Sequence, residues 1–367
     1  MNTKKMRYVW FLVILCIFCL TLFLARTRSK VEMRNRIYHQ WNEHFVVSKG
    51  KESYVRTTND SNQTVVLSEA QSYGMLITVA AAEKGQAQQA DFDRLYHYYL
   101  NHRLEGTQLM SWKQTISNGK AKDEDHNATD GDLYIAYALL KAAQQWPKQA
   151  KDYQAQAKAI LEDILAHNYN EETGVLTVGN WANQDSEFYH LMRTSDTLPA
   201  QFQIFYEVTK DSKWLDIKEK MLQQLQTISS QTKTGLLPDF IWVDEQGTRV
   251  ADPKTIESKY DGAYSYNACR LPYNLVQSKD KTSQQLVKKM LNFFKSQRNL
   301  YAGYDLKGKA LNNHQAASFL APIVYASEHE KGYLKLVQQN KYIFTQDLPL
   351  NNYYDATMTT MIALELF

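Results

Sequence analysis

Cysteine is nearly missing from this sequence. There are three in 367 residues, and two of them, Cys16 and Cys19, lie inside an N-terminal apolar run. Only Cys269 remains beyond that run, so the rest of the chain can form no intramolecular disulfide; Cys269 reads as a small buried residue rather than a nucleophile. Exported without disulfides, such a chain fits a Gram-positive bacterial surface better than an animal secretory route. Proline (7) and glycine (14) are also scarce, which excludes a loop-dominated chain and permits long helices. Neither sign of charge dominates: 42 Lys and Arg against 39 Asp and Glu, a net +3. With no basic stripe, a nucleic-acid partner is not expected. His126, His190 and His314 are scattered without metal-ligand spacing, so neither a metal nor another cofactor is expected. Low-complexity linkers are absent, and Lys120 to Asp125 reads as a solvated charged loop.

What the chain does have begins with Lys4, Lys5 and Arg7, followed by an uncharged apolar stretch from Tyr8 to Ala25. Eighteen residues at about 1.5 Å each give roughly 27 Å of helix, enough to cross a bilayer core. No Ala-x-Ala site follows. Leu15 and Phe18 precede the two cysteines, where a lipoprotein signal would place a small residue. The expectation is an uncleaved signal anchor. Basic residues are equal on its two flanks, with Arg26, Arg28 and Lys30 beyond it, so charge alone does not orient it; the large remainder is explained by export. Residues 1–30 then form a cytoplasmic tip, a membrane span and a short juxtamembrane connection. Residues 31–367 form one extracytoplasmic domain of a single-pass cell-membrane protein, expected to be monomeric.

Two helix starts organise that domain. Ala128-Thr129-Asp130-Gly131-Asp132 opens the run ending at Trp146, with Thr129 as expected N-cap and Asp130 in the first turn, where the helix presents its free N–H groups. Earlier, Ser68-Glu69-Ala70-Gln71 has capping-box spacing, puts Glu69 in a first turn, and leads to Gly85 as a stop. Both helices are apolar on most sides. The helix expected at Lys148–His167 instead keeps Tyr153, Ala157, Ile160, Leu161, Ile164 and Leu165 on one stripe. A buried helix followed by an amphipathic one implies two concentric layers. Similar patterns give Met33–Val46, Ser68–Lys84, Gln89–His102, Asp130–Trp146, Thr197–Val208, Ser212–Ser230, Tyr266–Val276, Thr282–Gln297, Asn313–Ala326, Lys331–Gln339 and Tyr353–Leu366. The class is all-α, and periodicity leaves a closed helical barrel and a helical solenoid both open. Long connections after Leu104, around Tyr169 to Arg193, and from Thr232 to Tyr264 would line one mouth of a barrel. Aromatic residues, including 24 Tyr and 7 Trp, supply flat faces of the kind that stack on sugar rings.

ATDGDLYIAYALLKAAQQW resembles the signature of glycoside hydrolase family eight, and SEAQSYGM (Ser68 to Met75) resembles the segment carrying that family's general acid. LMSWK, LLPDFIW, YSYNACRLPY and NYYDATMTTMIAL extend the likeness in order over nearly the whole exported part. The resemblance implies an (α/α)6 barrel and an inverting endo-glycosidase acting on β-1,4-linked polysaccharide. In that reading Glu69 is the general acid. Asp130 grips the hydroxyls of the sugar whose bond breaks and helps hold its ring distorted, and Asp132 braces the helix start. A general acid needs a raised pKa although a helix N-terminus lowers it, so burial near Tyr73 and Trp112, or repulsion from Asp130, must prevail.

The base is less direct. Many members of the resembled family have an Asp in the stretch ending A-C-R; here the residue is Asn267, whose amide cannot take a proton from water. Asp239 in LLPDFIW is the favoured replacement, because Pro238, Phe240 and Trp242 could fix it in an apolar wall. Glu257 is the alternative, ahead of Asp261 and Asp252. Tyr73, Trp112, Trp181, Trp242, Asn267 and Arg270 are the candidate substrate contacts, with Arg270 equally a structural tie. Arg193-Thr194-Ser195-Asp196 departs from the family's Tyr-containing stretch. A tethered enzyme suggests a cell-surface or exported glucan-, glucosamine- or mannosamine-type chain, with an exopolysaccharide synthase complex as a partner. Two other classes remain: a catalytically impaired polysaccharide-binding component, which would release no reducing ends, and a helical-barrel polysaccharide lyase, which would leave unsaturated ends.

Overall fold

A computed structural model describes residues 3–58 and 63–367. Its helices and strands are, in order, α1 (Thr3–Phe45), β1 (Val46–Lys49), β2 (Glu52–Val55), β3 (Thr64–Leu67), α2 (Ser68–Glu83), α3 (Gln89–Asn101), β4 (Lys113–Ser117), β5 (Lys120–Asp123), α4 (Thr129–Gln145) and α5 (Ala150–His167). They continue with β6 (Leu191–Arg193), α6 (Pro199–Thr209), α7 (Lys213–Ser230), β7 (Phe240–Asp244), β8 (Gly247–Val250), α8 (Leu271–Val276), α9 (Lys281–Ser296), α10 (Ala317–His329), α11 (Leu334–Asn340) and α12 (Tyr353–Leu366).

The even-numbered helices form the inner layer and the odd-numbered ones the outer. The ring closes where α12 packs on α2, which makes it an (α/α)6 barrel rather than an open solenoid. The two-layer pattern follows burial. Thirteen of the 17 residues of α4 are buried, whereas α5 buries Tyr153, Ala157, Ile160, Leu161 and Ile164 of the stripe expected from sequence. All inner helices run the same way, so their N-termini gather at one end and their C-termini at the other. The N-terminal end carries the long connections. These are not structureless: β3-β4-β5 and β6-β7-β8 are antiparallel three-stranded sheets folded from them. The C-terminal end has turns of only three to five residues.

The N-terminus departs from expectation. No connection separates the apolar stretch from a helix beginning at Met33; α1 is one helix of 43 residues. With neither Gly nor Pro between Tyr8 and Phe45, nothing interrupts it. Residues 6–30 are exposed, and packing on the barrel starts near Val31. From there α1 runs antiparallel to α12. Arg34 Nη1 donates to the Phe367 carbonyl at 2.9 Å, Trp41 Nε1 to Thr357 Oγ1 at 2.9 Å, and Phe45 packs edge-on against Tyr353.

Both expected caps are also different. Ser68 and Thr129 are the first residues of their helices rather than the caps, and neither side chain caps. Thr129 Oγ1 donates to the Thr177 carbonyl, and Gln71 crosses the layer to bond Val55 N, the Ser53 carbonyl and the Leu95 carbonyl. Tertiary partners have displaced the local bonds. The segment expected as one helix over Tyr266–Val276 is a 3₁₀ turn at Ala268–Arg270 followed by α8.

Candidate active site

Glu69 and Asp130 come together because α2 and α4 start in contact. A Cβ added to Gly131 would lie 2.2 Å from Ser68 Oγ and 3.0 Å from the Ser68 carbonyl carbon. Only a residue with no side chain lets the two first turns approach this closely. Between the two acids lies the guanidinium of Arg270, 1% exposed. Its Nη1 donates to Glu69 Oε2 at 2.9 Å, Asp130 Oδ2 at 3.1 Å and Tyr73 Oη at 3.1 Å; its Nη2 donates to Ser195 Oγ at 2.8 Å and Asn267 Oδ1 at 3.0 Å. A buried cation so placed needs this saturation, since each unmet donor would carry its full desolvation cost.

The two carboxyls respond oppositely. Burial pushes Glu69 up to about 7; the neighbouring charge of Asp130 adds to that push and the charge of Arg270 opposes it. Burial outweighs the helix N-terminus, as a proton donor at neutral pH requires. Burial also pushes Asp130 up, but Arg193 and Arg270 together with the Gly131 amide overcome it, and its carboxyl is held below the usual range. One acid is set to carry a proton and its neighbour to stay ionised.

Arg193, from the stretch that departs from the family pattern, supplies a second buried cation. It lies 3.2 Å from Asp130, 3.6 Å from Asp196 and 3.3 Å from Glu257. Burial pushes Asp196 up to about 7 despite that neighbour. Asn267 joins the two arginine clusters: its Oδ1 accepts from Arg270 and its Nδ2 donates to Glu257 Oε2 at 2.8 Å. An Asp at 267 would lose that donor and set two carboxylates against each other, so the amide here is matched to Glu257.

These groups open on a groove of about 400 Å³ whose lining includes Glu69, Trp112, Asp130, Arg193, Glu257, Asn267 and the rings of Tyr266, Tyr353 and Tyr354. The Glu69 side chain is 20% exposed and that of Glu257 43%. Glu257 is fixed by its loop: the carboxylate of Asp261 accepts the backbone N–H groups of Ile256, Glu257 and Ser258. Asp261 is therefore a loop brace, and Asp252 is not among the groove residues.

Several expected contacts are placed differently. Asp239 is 3% exposed and sits behind the wall. Its Oδ1 accepts the backbone N–H groups of Ser265, Asn267 and Ala268, so it positions the Asn267 turn and has no face toward the groove. Of the two carboxylates weighed as base, Glu257 lines the groove and Asp239 does not. Tyr73 is fully buried beneath Glu69 and holds Arg270, and Arg270 is itself the tie between acids; neither lines the groove. Asp132 braces as expected, accepting from Met110 N and Asn127 Nδ2. Trp112 lines the groove. Trp181 and Trp242 lie outside it, in a row of rings that leads away from Trp112 through His126, Trp181, Phe188 and Trp242, with neighbouring centroids 5.3 to 6.4 Å apart.

Sequence reasoning did not single out Arg193, Tyr266, Tyr353 or Tyr354 as site residues. All four lie in stretches that stood out, the three tyrosines within matched segments and Arg193 at the start of the departing one.

The sequence matches the profile of glycosyl hydrolases family 8 over residues 13–365. It is 31% identical over 298 residues to a beta-glucanase of Niallia circulans, covering 78% of this chain and 72% of that protein. It is 30% identical over 275 residues to an endoglucanase of Bacillus sp. strain KSM-330, covering 71% and 58%. The chain thus spans less than two thirds of the second relative. Among solved structures, a beta-1,3-1,4-glucanase from Paenibacillus sp. X4 superposes with a TM-score of 0.82 at 25% identity, over 93% of this chain and 92% of that one.

Proposed function

The chain belongs to glycosyl hydrolases family 8, a family of glycoside hydrolases, and from that premise we propose that it is an inverting endo-glycosidase cutting β-1,4 linkages of a polysaccharide. The observation that carries this reading is that Glu69 and Glu257 face one groove, joined through Arg270, Asn267 and Arg193. Glu69, its pKa raised to about 7, protonates the leaving glycosidic oxygen. Glu257, held in place by Arg193 and Asn267, takes a proton from a water that attacks the opposite face of the sugar; this inverts the anomeric centre. Asp130 accepts from hydroxyls of the ring being cleaved, and Arg270 keeps Glu69 and Asp130 in register. Trp112 stacks on a sugar in the groove, and the rings from His126 to Trp242 extend that platform along the chain. The names of the relatives support a β-glucan substrate.

We further infer that α1 anchors the enzyme, because its apolar window is long enough to span a bilayer and none of it is buried. The domain from residue 31 onward then works outside a bacterial cell membrane on a cell-surface or exported chain of glucan, glucosamine or mannosamine type, near the complex that synthesises it. A truncate lacking residues 1–30 should remain soluble and active.

A reducing-end assay on a panel of β-linked polysaccharides tests the catalytic assignment. Glu69→Gln and Glu257→Gln should each lower kcat about 10²–10⁴-fold, whereas Asp239→Asn, which keeps an acceptor oxygen for the three amides, should retain most activity. Full activity in Glu257→Gln with loss in Asp239→Asn would reverse the assignment. Polysaccharide binding with no reducing ends from the parent would leave the binding-component reading in its place.

A further inference from the structure

The end of the barrel opposite the groove carries a lysine in each of its five short turns: Lys84 after α2, Lys148 after α4, Lys210 after α6, Lys279 after α8 and Lys331 after α10. All five are exposed. Among the described residues, Lys84, Lys148, Lys279 and Lys331 have no ion-pair partner. Four of the nearby acids have partners, whereas exposed Glu328 and Asp152 pair with no lysine among the described residues. Glu83 pairs with Lys141 at 2.9 Å, Glu330 with Lys288 at 3.5 Å, Asp211 accepts the Lys213 backbone N–H at 2.9 Å, and Asp280 caps α9 by accepting from Thr282 N. That the turns after α2, α4, α8 and α10 share one end with the C-terminus of α12 is fixed by a hollow of about 360 Å³ whose lining takes in Lys84, Lys141, Gln277, Tyr325 and Glu365. In the same ring Leu334 is 63% exposed. Outside the α1 apolar stretch, the one other large hydrophobic side chain so exposed among the described residues is Tyr266, in the groove.

The anchor leaves the barrel at this end. Phe45 of α1 lies beside Tyr353 at the groove, while Arg34 and Lys30 lie against Phe367, with Lys30 Nζ 5.3 Å from its ring centroid. From Ala25, the last apolar residue, to Arg34 the helix rises about 14 Å. The headgroup layer takes up about 6 Å of that rise, and the rest is close to the reach of extended lysine side chains.

We propose that the lysine-bearing base of the barrel, with Leu334 set in it, docks on an anionic bilayer surface, so that the groove opens away from the membrane. This rests on the reading of α1 as a membrane anchor. Helix C-termini favour cations on their own account. The base adds to that lysines without ion-pair partners on the side where the anchor leaves, and an exposed apolar side chain at the start of α11; anionic headgroups attract lysines held close to them.

The test uses the full chain reconstituted in lipid nanodiscs, one set of neutral phosphatidylcholine and one with half phosphatidylglycerol, read by hydrogen–deuterium exchange; flotation with vesicles is run in parallel. Amides of the five base turns should exchange about tenfold more slowly in the anionic discs than in the neutral ones. That protection should vanish in 0.5 M NaCl, as screening shortens to about 5 Å or less. The quadruple variant Lys84→Glu, Lys148→Glu, Lys279→Glu, Lys331→Glu should keep parental activity on a soluble substrate and lose the protection. Equal exchange in the two lipids, or protection that survives charge reversal in the active variant, overturns the docking while leaving the anchor intact. A chain that fails to float overturns both.

Discussion

Two ends of one barrel, built from the same six inner helices, treat charge in opposite ways. At the groove, Arg270 and Arg193 are almost sealed from water and the carboxylates near them are paired: Asp130 with both cations, Glu69 with Arg270, and Glu257 with Arg193 and Asn267. At the base, charges stand singly or in partly exposed pairs. Burying charge demands partners and fixed geometry, while exposure demands neither. A residue's importance at the groove therefore lies in its network, and at the base in the sum over a surface.

The contrast is most strongly tested by Arg270→Met, which leaves Glu69, Asp130 and Asn267 without their common donor. Chemical denaturation should show a loss of about 3–5 kcal/mol; a change below 1 kcal/mol would mean the groove charges are as independent as those at the base. Gly131→Ala comes next. Pushing α4 off Ser68 should cost about 1–3 kcal/mol and, by moving Asp130 relative to Glu69, reduce kcat/KM about 100-fold. Thermal melts and initial rates read the two effects, and unchanged kinetics would detach catalysis from the helix contact.

A pH profile probes the same network more gently. In the proposed mechanism Glu69 works protonated, and with its pKa raised to about 7 the alkaline limb of activity should fall as pH rises through that value. Asp130 helps raise that pKa, so Asp130→Asn should move the alkaline limb of its residual activity to lower pH; an upward move would contradict the coupling. The smallest effect belongs to the base. The Glu83–Lys141 pair is about one third exposed, and Lys141→Ala should change stability by less than about 1 kcal/mol with kcat/KM on a soluble substrate unaltered. A larger loss would make the base a second buried network.

Much of this arrangement was legible in the chain. The 3.6-residue patterning separated inner helices from outer ones, and the two acidic helix starts marked Glu69 and Asp130. What local pattern could not reach was the use of each side chain. Ser68 and Thr129 look like caps, but a bond to a distant carbonyl, or the contact with Gly131, takes precedence. Asp239, flanked by Pro238 and Phe240, looks presented and is instead enclosed, because whether an apolar neighbour sits behind or in front of a carboxylate depends on which way the strand faces. Arg193 carries no local sign of burial, and three carboxylates converge on it only in the folded chain.

The amino-acid order determined by itself the number and layering of the helices, the apolar stretch that leads into α1, and the acids placed at helix N-termini, since each follows from periodicity and backbone geometry within a few turns. The tertiary structure alone decided that Glu257 rather than Asp239 shares the groove with Glu69, and that the C-terminal parts of α2, α4, α8, α10 and α12 meet around one hollow. Both depend on distances between residues far apart in the chain, and those are set only when the ring of helices closes.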